Sequence, residues 1–461
     1  MNRLGPIRGL LLMGVLGRLG IAAAAVFFLW AAVLWAVLSQ PAVPVAYQQM
    51  QPATFGPVPR AASLPAIPGF ALVAASGQSA PTGGIFDRFD VAAQPIVAPV
   101  NAAGQVAFYA TVLHARATEG IFLAADGKIK KIAAVGDPVP GGGILSQFSR
   151  HPMPALNDAG HVAFGAAMTA SRAAEGVFLA AGDALTVMAL TGGDAPGVVG
   201  GTFSDFDAPA LNNLDEVVFV ANVRRGRDLL QVLYRWRDGR LQKLVAERDL
   251  LPTLGTPPPC CGAFDKFGLP TINNRGVIVF PATIEHGPVL GGIFVSGSRD
   301  LRMLAAAGVL APNGEMMVRF SERVAIDDDD NLSFGAQLGV GRTGREAVLR
   351  VNTTETTQIA LAGDPAPGGG SFSGFGPWPG ASPTGRIAFI AAVENGPGLV
   401  GVYAWDAGTL RRIVTVGDRL PDGSVLAPLA INSVTSAGAN GGVTLATMGE
   451  GGEQRIYYLA P

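Results

Sequence analysis

The chain is poor in the residues that usually announce a chemistry. Its 461 residues include two cysteines, and these are neighbours, Cys260 and Cys261. Adjacent thiols cannot staple distant segments, and a disulfide between them would be strained. Four spaced cysteines would signal zinc; two adjacent ones do not. Histidine occurs at His114, His151, His161 and His286 and never forms a metal-spaced pair. There is no G-x-S-x-G, H-E-x-x-H, C-x-x-C or P-loop, the short patterns that place a nucleophile, a zinc ion, a redox dithiol or a phosphate. Charged residues make up only 15% and the net charge is -2, which leaves no basic surplus for nucleic acid. The sequence therefore predicts no metal, no cofactor and no nucleic-acid partner.

What the chain has is apolar residues and turns. Nearly half of it, 49%, is hydrophobic, with 62 glycines and 34 prolines. Aromatic and β-branched residues are too frequent for disorder, so the composition suggests many short strands joined by tight turns.

The N-terminus is set apart. Residues 1–18 carry Arg3, Arg8 and Arg18 and no acid, and 19–38, "LGIAAAAVFFLWAAVLWAVL", are uncharged. Twenty such residues suffice to cross a bilayer as a helix, and the positive-inside rule leaves 1–18 in the cytoplasm and exports the rest. Two readings stand: an uncleaved signal anchor, or a signal peptide cleaved near Ala42 or Ala46. Residues 39–69 are proline-rich and aperiodic. They read as a semi-extended spacer with a reach of roughly 90 Å at ~3.1 Å per residue.

From residue 70 onward the chain repeats itself. "LNDAGHVAF" (156–164) returns as "VNAAGQVAF", "LNNLDEVVF", "INNRGVIVF", "IDDDDNLSF", "ASPTGRIAF" and a worn "SAGANGGVTL". The anchors Phe108, Phe164, Phe219, Phe280, Phe334, Phe389 and Leu445 are spaced by 56, 55, 61, 54, 55 and 56 residues, a period that signals a solenoid, propeller or array. The N-x-x-G within the motif reads as a hairpin turn, with Asn bonding the backbone ahead and Gly supplying a positive φ. We assign this turn role to Asn101 and Gly104, Asn157 and Gly160, and Asn274 and Gly276. After it, "HVAFGAAM" alternates Val162, Phe164 and Ala166 with Ala163, Gly165 and Ala167. Both faces are apolar or small, so this strand is sandwiched between sheets. A pair of aromatics precedes most copies, as in Phe203 and Phe206, and a "GDPxP"-like mark stands earlier still.

Each unit thus reads as four antiparallel strands without helical periodicity, the unit of a β-propeller blade. "FALVAAS" at Phe70 resembles a fourth strand and the closing "QRIYYLAP" a third. One N-terminal strand plus three C-terminal strands would complete a seventh blade and abolish exposed edges. The prediction is an all-β, seven-bladed propeller over 70–461.

The copies "NAAGQVAF", "NDAGHVAF" and "SPTGRIAF" also resemble the N-x-x-G-x-x-A-F tandem repeats of bacterial exported "choice-of-anchor" proteins. The resemblance covers about 70–461 and departs at Asp327–Asp330, Ser382–Gly385 and Gly438–Gly441. It implies an exported bacterial protein and no reaction. With the N-terminal helix as anchor, the expected location is the inner membrane, single pass, with the propeller periplasmic or extracellular, or secreted if the signal is cleaved.

In the usual propeller order the fourth-to-first and second-to-third loops share one face. That face would carry Asp137, Asp194, Asp364 and Asp418 of the "GD" marks, which read mainly as turn residues. It would also carry arginines of variable loops: Arg116, Arg172, Arg224, Arg225, Arg227, Arg342 and Arg345. Fixed strands bearing varied loops are how scaffolds present recognition. "GVGRTG", through Gly339, Gly341 and Gly344, is followed by a strand rather than the helix a dinucleotide site needs. "DDDDN" (Asp327–Asn331) fills a hairpin-turn slot without calcium-loop spacing. His161, beside a turn, reads as solvated. The expected function is noncatalytic binding of a protein or glycan through the loop face. The alternatives are a glycan-acting enzyme using scattered carboxylates such as Asp194 and Glu346, and a purely structural envelope protein.

Overall fold

The computed structural model describes residues 69–91, 96–251, 262–297, 301–339, 344–429 and 435–460. The basic N-terminus, the apolar stretch 19–38, all but the last residue of the spacer, Cys260, Cys261 and Arg342 lie outside these. Every regular element among the described residues is a strand, and no helix there is long and apolar enough to cross a membrane.

The strands form seven antiparallel sheets arranged as propeller blades. We number them from the first complete one: blade 1 spans 85–134, blade 2 144–190, blade 3 201–246, blade 4 263–306, blade 5 317–361 and blade 6 371–415. Blade 3 shows the plan. Its first strand comes in two pieces, Gly201–Phe206 and Ala210–Leu211, both paired with the second strand Val217–Arg225. The break falls at Pro209, which has no N–H to give a ladder. Asp228–Arg237 and Arg240–Ala246 follow as third and outermost strands. Blade 7 is composite: Ser436–Ala437, Val443–Met448 and Gln454–Leu459 are joined by Phe70–Ala75 as outermost strand. Phe70 sits opposite Leu459, and its ring lies 4.9 Å from that of Tyr457.

The alternation of the second strand is used as its sequence suggests. Val162, Phe164 and Ala166 pack with Ala107 and Tyr109 of blade 1. Ala163 packs with Val217 and Phe219 of blade 3. The paired aromatics wedge each blade from inside: Phe203 meets Tyr234 at 5.3 Å and Phe206 meets Phe219 at 5.7 Å, both edge to face, a favoured arrangement.

The N-x-x-G turns do more than reverse the chain. Asn157 Oδ1 accepts from the N–H of His161, which closes its own turn. Its amide meanwhile donates 3.2 Å forward to the Asn212 carbonyl of the next blade. Asn101 donates likewise to the Asn157 carbonyl, Asn212 to that of Asn273, and Asn273 to that of Asp327. A chain of identical latches thus runs from blade 1 to blade 5. It also corrects one assignment. The buried turn residue of blade 4 is Asn273, whose Oδ1 accepts from Arg275 and Val277 N–H. Asn274 stands one place on and bonds Asp328 across the blade gap.

Where the motif wears away, other groups make the link. Asp327, which has no amide to donate, is succeeded by a backbone bond from Asp328 N–H to the Pro383 carbonyl, and Arg386 Nη1 reaches the Gly441 carbonyl. Gly104, Gly160 and Gly276 hold φ of 74°, 79° and 78°, while Asp215 and Asp330 take the same place at 59° and 64°, as Asp can when it bonds locally. "DDDDN" is therefore a turn, with Asp327 Oδ1 accepting from Asp329 and Asn331 N–H. His161 departs from its solvated reading: Nδ1 lies 2.8 Å from Asp215 Oδ1 of blade 3, bridging the blades.

Candidate binding faces

The "GD" carboxylates turn toward their own outer strand. Asp137 accepts from Ala134 N–H at 2.8 Å and pairs with Lys131 at 2.6 Å. Asp418 does the same with Thr415 N–H and faces Arg412 at 3.9 Å. Asp249, which the sequence reading passed over, repeats the arrangement with Ala246 N–H and Lys243. Asp364 meets Gln358 at 3.3 Å, while Asp194 is exposed. Two of the four thus hold their turn by a backbone bond and a third meets a side chain of the outermost strand; these three side chains turn to the outer strand rather than toward one another.

The carboxylates and amides that open the third strands are spent on a second set of latches. Glu119 accepts from Ser149 N–H, Glu175 from Phe206, Gln231 from Phe267, Glu346 from Phe375 and Gln454 from Phe89, at 2.6–3.1 Å. In each case the donor lies in the first piece of the following blade's first strand or within three residues after it. Glu346, one of the carboxylates considered for catalysis, is thereby occupied. No sequence signal short of the repeated Glu/Gln at this position pointed to these bonds. His151 adds to the Glu175 latch from 2.9 Å, and its ring crowds Gly165, where a Cβ would stand 2.9 Å from Cγ.

The candidate arginines divide. Arg345 is paired with Glu315 at 2.8 Å, holding that carboxyl below the usual range. Arg225 faces Asp228 at 3.6 Å. Arg116 and Arg172 are exposed and have no ion pair among the described residues. Around them the loop face is studded with aliphatic side chains. Of the large hydrophobics exposed among the described residues, all but Leu72 and Leu214 belong to the second-to-third or fourth-to-first connections or their ends. Val199, Leu290 and Leu399 are exposed by 95%, 82% and 78%.

Two cavities bear on function, one between blades 4 and 5 and one at the axis. Val97, Met153, Leu269 and Trp378, from blades 1, 2, 4 and 6, pack together as an apolar plug. One cavity, of about 550 Å³, includes Leu290 and Gly291 of the loop face together with Lys266, Leu269, Phe320, Arg319, Asp207 and Glu322. Burial pushes the Asp207 carboxyl up, with Asp205 and Glu175 adding and His151 opposing. The other cavity, of about 200 Å³, opens among the N-x-x-G turns and holds Arg323 and Trp378.

A carboxyl raised in the folded state binds protons more readily there than in the unfolded chain. Its effect is to erode stability as pH rises through the unfolded value near 4 toward the folded one. Asp207→Asn should therefore raise Tm at pH 7 by a few degrees and leave it unchanged at pH 3, as thermal melts at both pH values will show.

With the geometry in view, comparisons place the chain. It matches the family of unknown function DUF7453 over residues 66–287 and again over 233–450, and it belongs to this family. No curated protein matches it. Among solved structures it is similar to an oligogalacturonate lyase in complex with manganese (11% identity, 85% of this chain, 97% of that one, TM-score 0.46). It is also similar to a puromycin-hydrolysing peptidase of Mycobacterium tuberculosis (13%, 80% of this chain, TM-score 0.44), of which it spans about half, 52%. A third is the Aleuria aurantia lectin (11%, 73% of this chain and 98% of that one, TM-score 0.33). Likenesses this distant transfer no activity.

Proposed function

We propose that the protein is an exported, membrane-anchored propeller that binds a partner protein through its loop face without catalysis. The observation that carries this is the concentration of exposed aliphatic side chains on that face beside the unpaired Arg116 and Arg172. Apolar side chains gathered on one face supply the buried core of an interface, and arginine is enriched in interfaces. The uncharged 19–38 stretch after three arginines supports anchoring in a bacterial inner membrane, with the propeller on the far side. The likeness of the repeat to exported choice-of-anchor proteins supports the same export.

The test is site-specific photocrosslinking in intact cells, with the probe at Leu290, Leu399 or, as control, Leu214 on the opposite face. A discrete protein adduct at Leu290 and Leu399, absent at Leu214 and lost on Arg172→Glu, is the expected result. Adducts of equal intensity at all three positions, or none, overturn the reading. Saturable glycan binding with no protein adduct would make the partner a glycan.

One observation favours a second reading. Asp207 and Glu322 line one cavity, and a raised carboxyl sharing a cleft with a second carboxylate is what glycan-hydrolysing enzymes use as acid and base. Oligosaccharide cleavage by the purified protein that Asp207→Asn abolishes would establish it.

A further inference from the structure

Arg323 is the odd cation of this protein. Each of the other arginines of the inner scaffold has a carboxylate: Arg235 meets Glu216 at 2.7 Å, Arg350 meets Asp327 at 3.9 Å and Arg386 meets Asp406 at 3.2 Å. Arg323 follows the axial plug in blade 5, where its backbone bridges Leu269 of blade 4. Its side chain is half-buried where it lines the axial cavity, and no ion pair or hydrogen bond to the guanidinium exists among the described residues. The stretches outside the described residues contain a single carboxylate, Asp300. Burial alone holds the group below the usual arginine range. A guanidinium does not lose its proton in a protein, so the fold presents to this cavity a positive charge that no protein carboxylate meets, a position open to an anionic ligand.

What Arg323 faces is the cup on the N-x-x-G side. Trp378, a residue of the plug, lines it. Its wall is made of the short inner strands Ala210–Leu211, Thr271–Ile272, Ala325–Ile326, Gly380–Ala381 and Ser436–Ala437. Each of these pairs with the second strand of its blade. The other edge, directed at the axis, leaves backbone N–H and C=O groups for a ligand. Asp158 and Asp328 stand at the rim, each already accepting from its neighbours, Ala102 N–H and Asn213 for the first and Asn274 twice for the second.

We propose that this cup is a binding site for a small organic carboxylate, no larger than one acidic sugar, whose carboxylate is held by the Arg323 guanidinium and whose body rests on Trp378. The fork of a guanidinium matches a carboxylate in two parallel hydrogen bonds, and a flat indole beside polar backbone edges suits a ring of mixed character. The volume, about 200 Å³, limits the ligand to roughly that size. One cation at depth and two carboxylates at the rim select a monoanion over a phosphate dianion. The site is on the face opposite the loops and does not depend on the function proposed there.

The test is calorimetric titration of the full chain in detergent with D-glucuronate, inorganic phosphate and D-glucose, on wild type, Arg323→Lys and Arg323→Met. The expected result is one saturable site for glucuronate, no heat from glucose, phosphate at least tenfold weaker, binding weakened at least tenfold in Arg323→Lys and lost in Arg323→Met. Wild-type indole fluorescence should change on glucuronate addition, and Trp378→Phe should remove the change. Should Arg323→Met not fold, the Lys variant and the fluorescence carry the test. Glucuronate binding unaffected by either Arg323 variant, tighter binding of phosphate, or no binding of any anion to wild type overturns the proposal.

Discussion

A chain that begins at Gly77 should not form a stable ring. It lacks Phe70–Ala75, the outermost strand of blade 7, which pairs with Arg455, Ile456, Tyr457, Tyr458 and Leu459. Its loss also removes the bond Ser76 Oγ receives from Gln454 N–H, the Phe70–Tyr457 ring contact and the packing of Ala74 against Ala446 and Ile456. A ladder of several hydrogen bonds at ~1 kcal/mol each, with the apolar area covered by Phe70, Val73 and Ala74, amounts to about 5 kcal/mol. That is of the order of a domain's whole stability. The strand left uncovered, "QRIYYL", would then be an unpaired aromatic edge of the kind that templates aggregation. Compared with a chain that starts at Leu64, the truncated protein should lose most of its cooperative thermal transition and run as aggregate in size exclusion. An unchanged Tm and elution volume would show that the terminal strand is not what closes the ring.

The propeller was legible because its determinants are local and repeated. The period recurs through all seven copies, the turn chemistry and two-faced alternation through most of them, and the mismatch between a lone first strand and a three-stranded end disclosed the closure. What each repeated residue touches was not legible. Asn157 shows itself in sequence as a turn former, but the carbonyl it latches belongs to Asn212, 55 residues away. A repeat records that a position matters without recording its partner. The misplacement at Asn274 was avoidable. Asn101 and Asn157 stand seven residues before their anchors Phe108 and Phe164, and seven before Phe280 is Asn273. Arg323 and Trp378 left no trace because they occupy places where the blades differ: the corresponding residue of blade 3 is Ala208 and that of blade 4 is Leu269. The aliphatic loop face was also hidden. Single leucines in loops such as "EHGPVLGG" mean little until the fold gathers them on one side.

The latch chain makes the sharpest energetic claim. Asn212 is 2% exposed and uses every hydrogen-bonding site it has. Its Oδ1 accepts from Leu214 and Glu216 N–H at 3.0 Å. Its amide donates to Glu216 Oε2 and to the Asn273 carbonyl, both at 3.0 Å. Asn212→Ala strands two N–H groups and a carbonyl, and withdraws one donor from a carboxylate that is itself 1% exposed. Unmade buried bonds cost ~1–3 kcal/mol each, partly relieved by water reaching the turn, so the loss should be about 4 kcal/mol in chemical denaturation. Asn213→Ala, one place on and exposed, loses its side-chain bonds with Asp158 across the blade gap in water but keeps its backbone bond to Asn274, and should cost about 1 kcal/mol or less. Asn212→Asp should be worse than alanine at pH 7. It keeps the acceptor but replaces the donor with a second carboxylate facing Glu216, and like charges in a buried site cannot both ionise freely. Protonation restores a donor, so that variant should regain stability as pH falls, whereas alanine should not. Equal losses for Asn212→Ala and Asn213→Ala, or an aspartate indifferent to pH, would mean that the asparagines merely shape their own turns and that apolar packing alone holds the blades together.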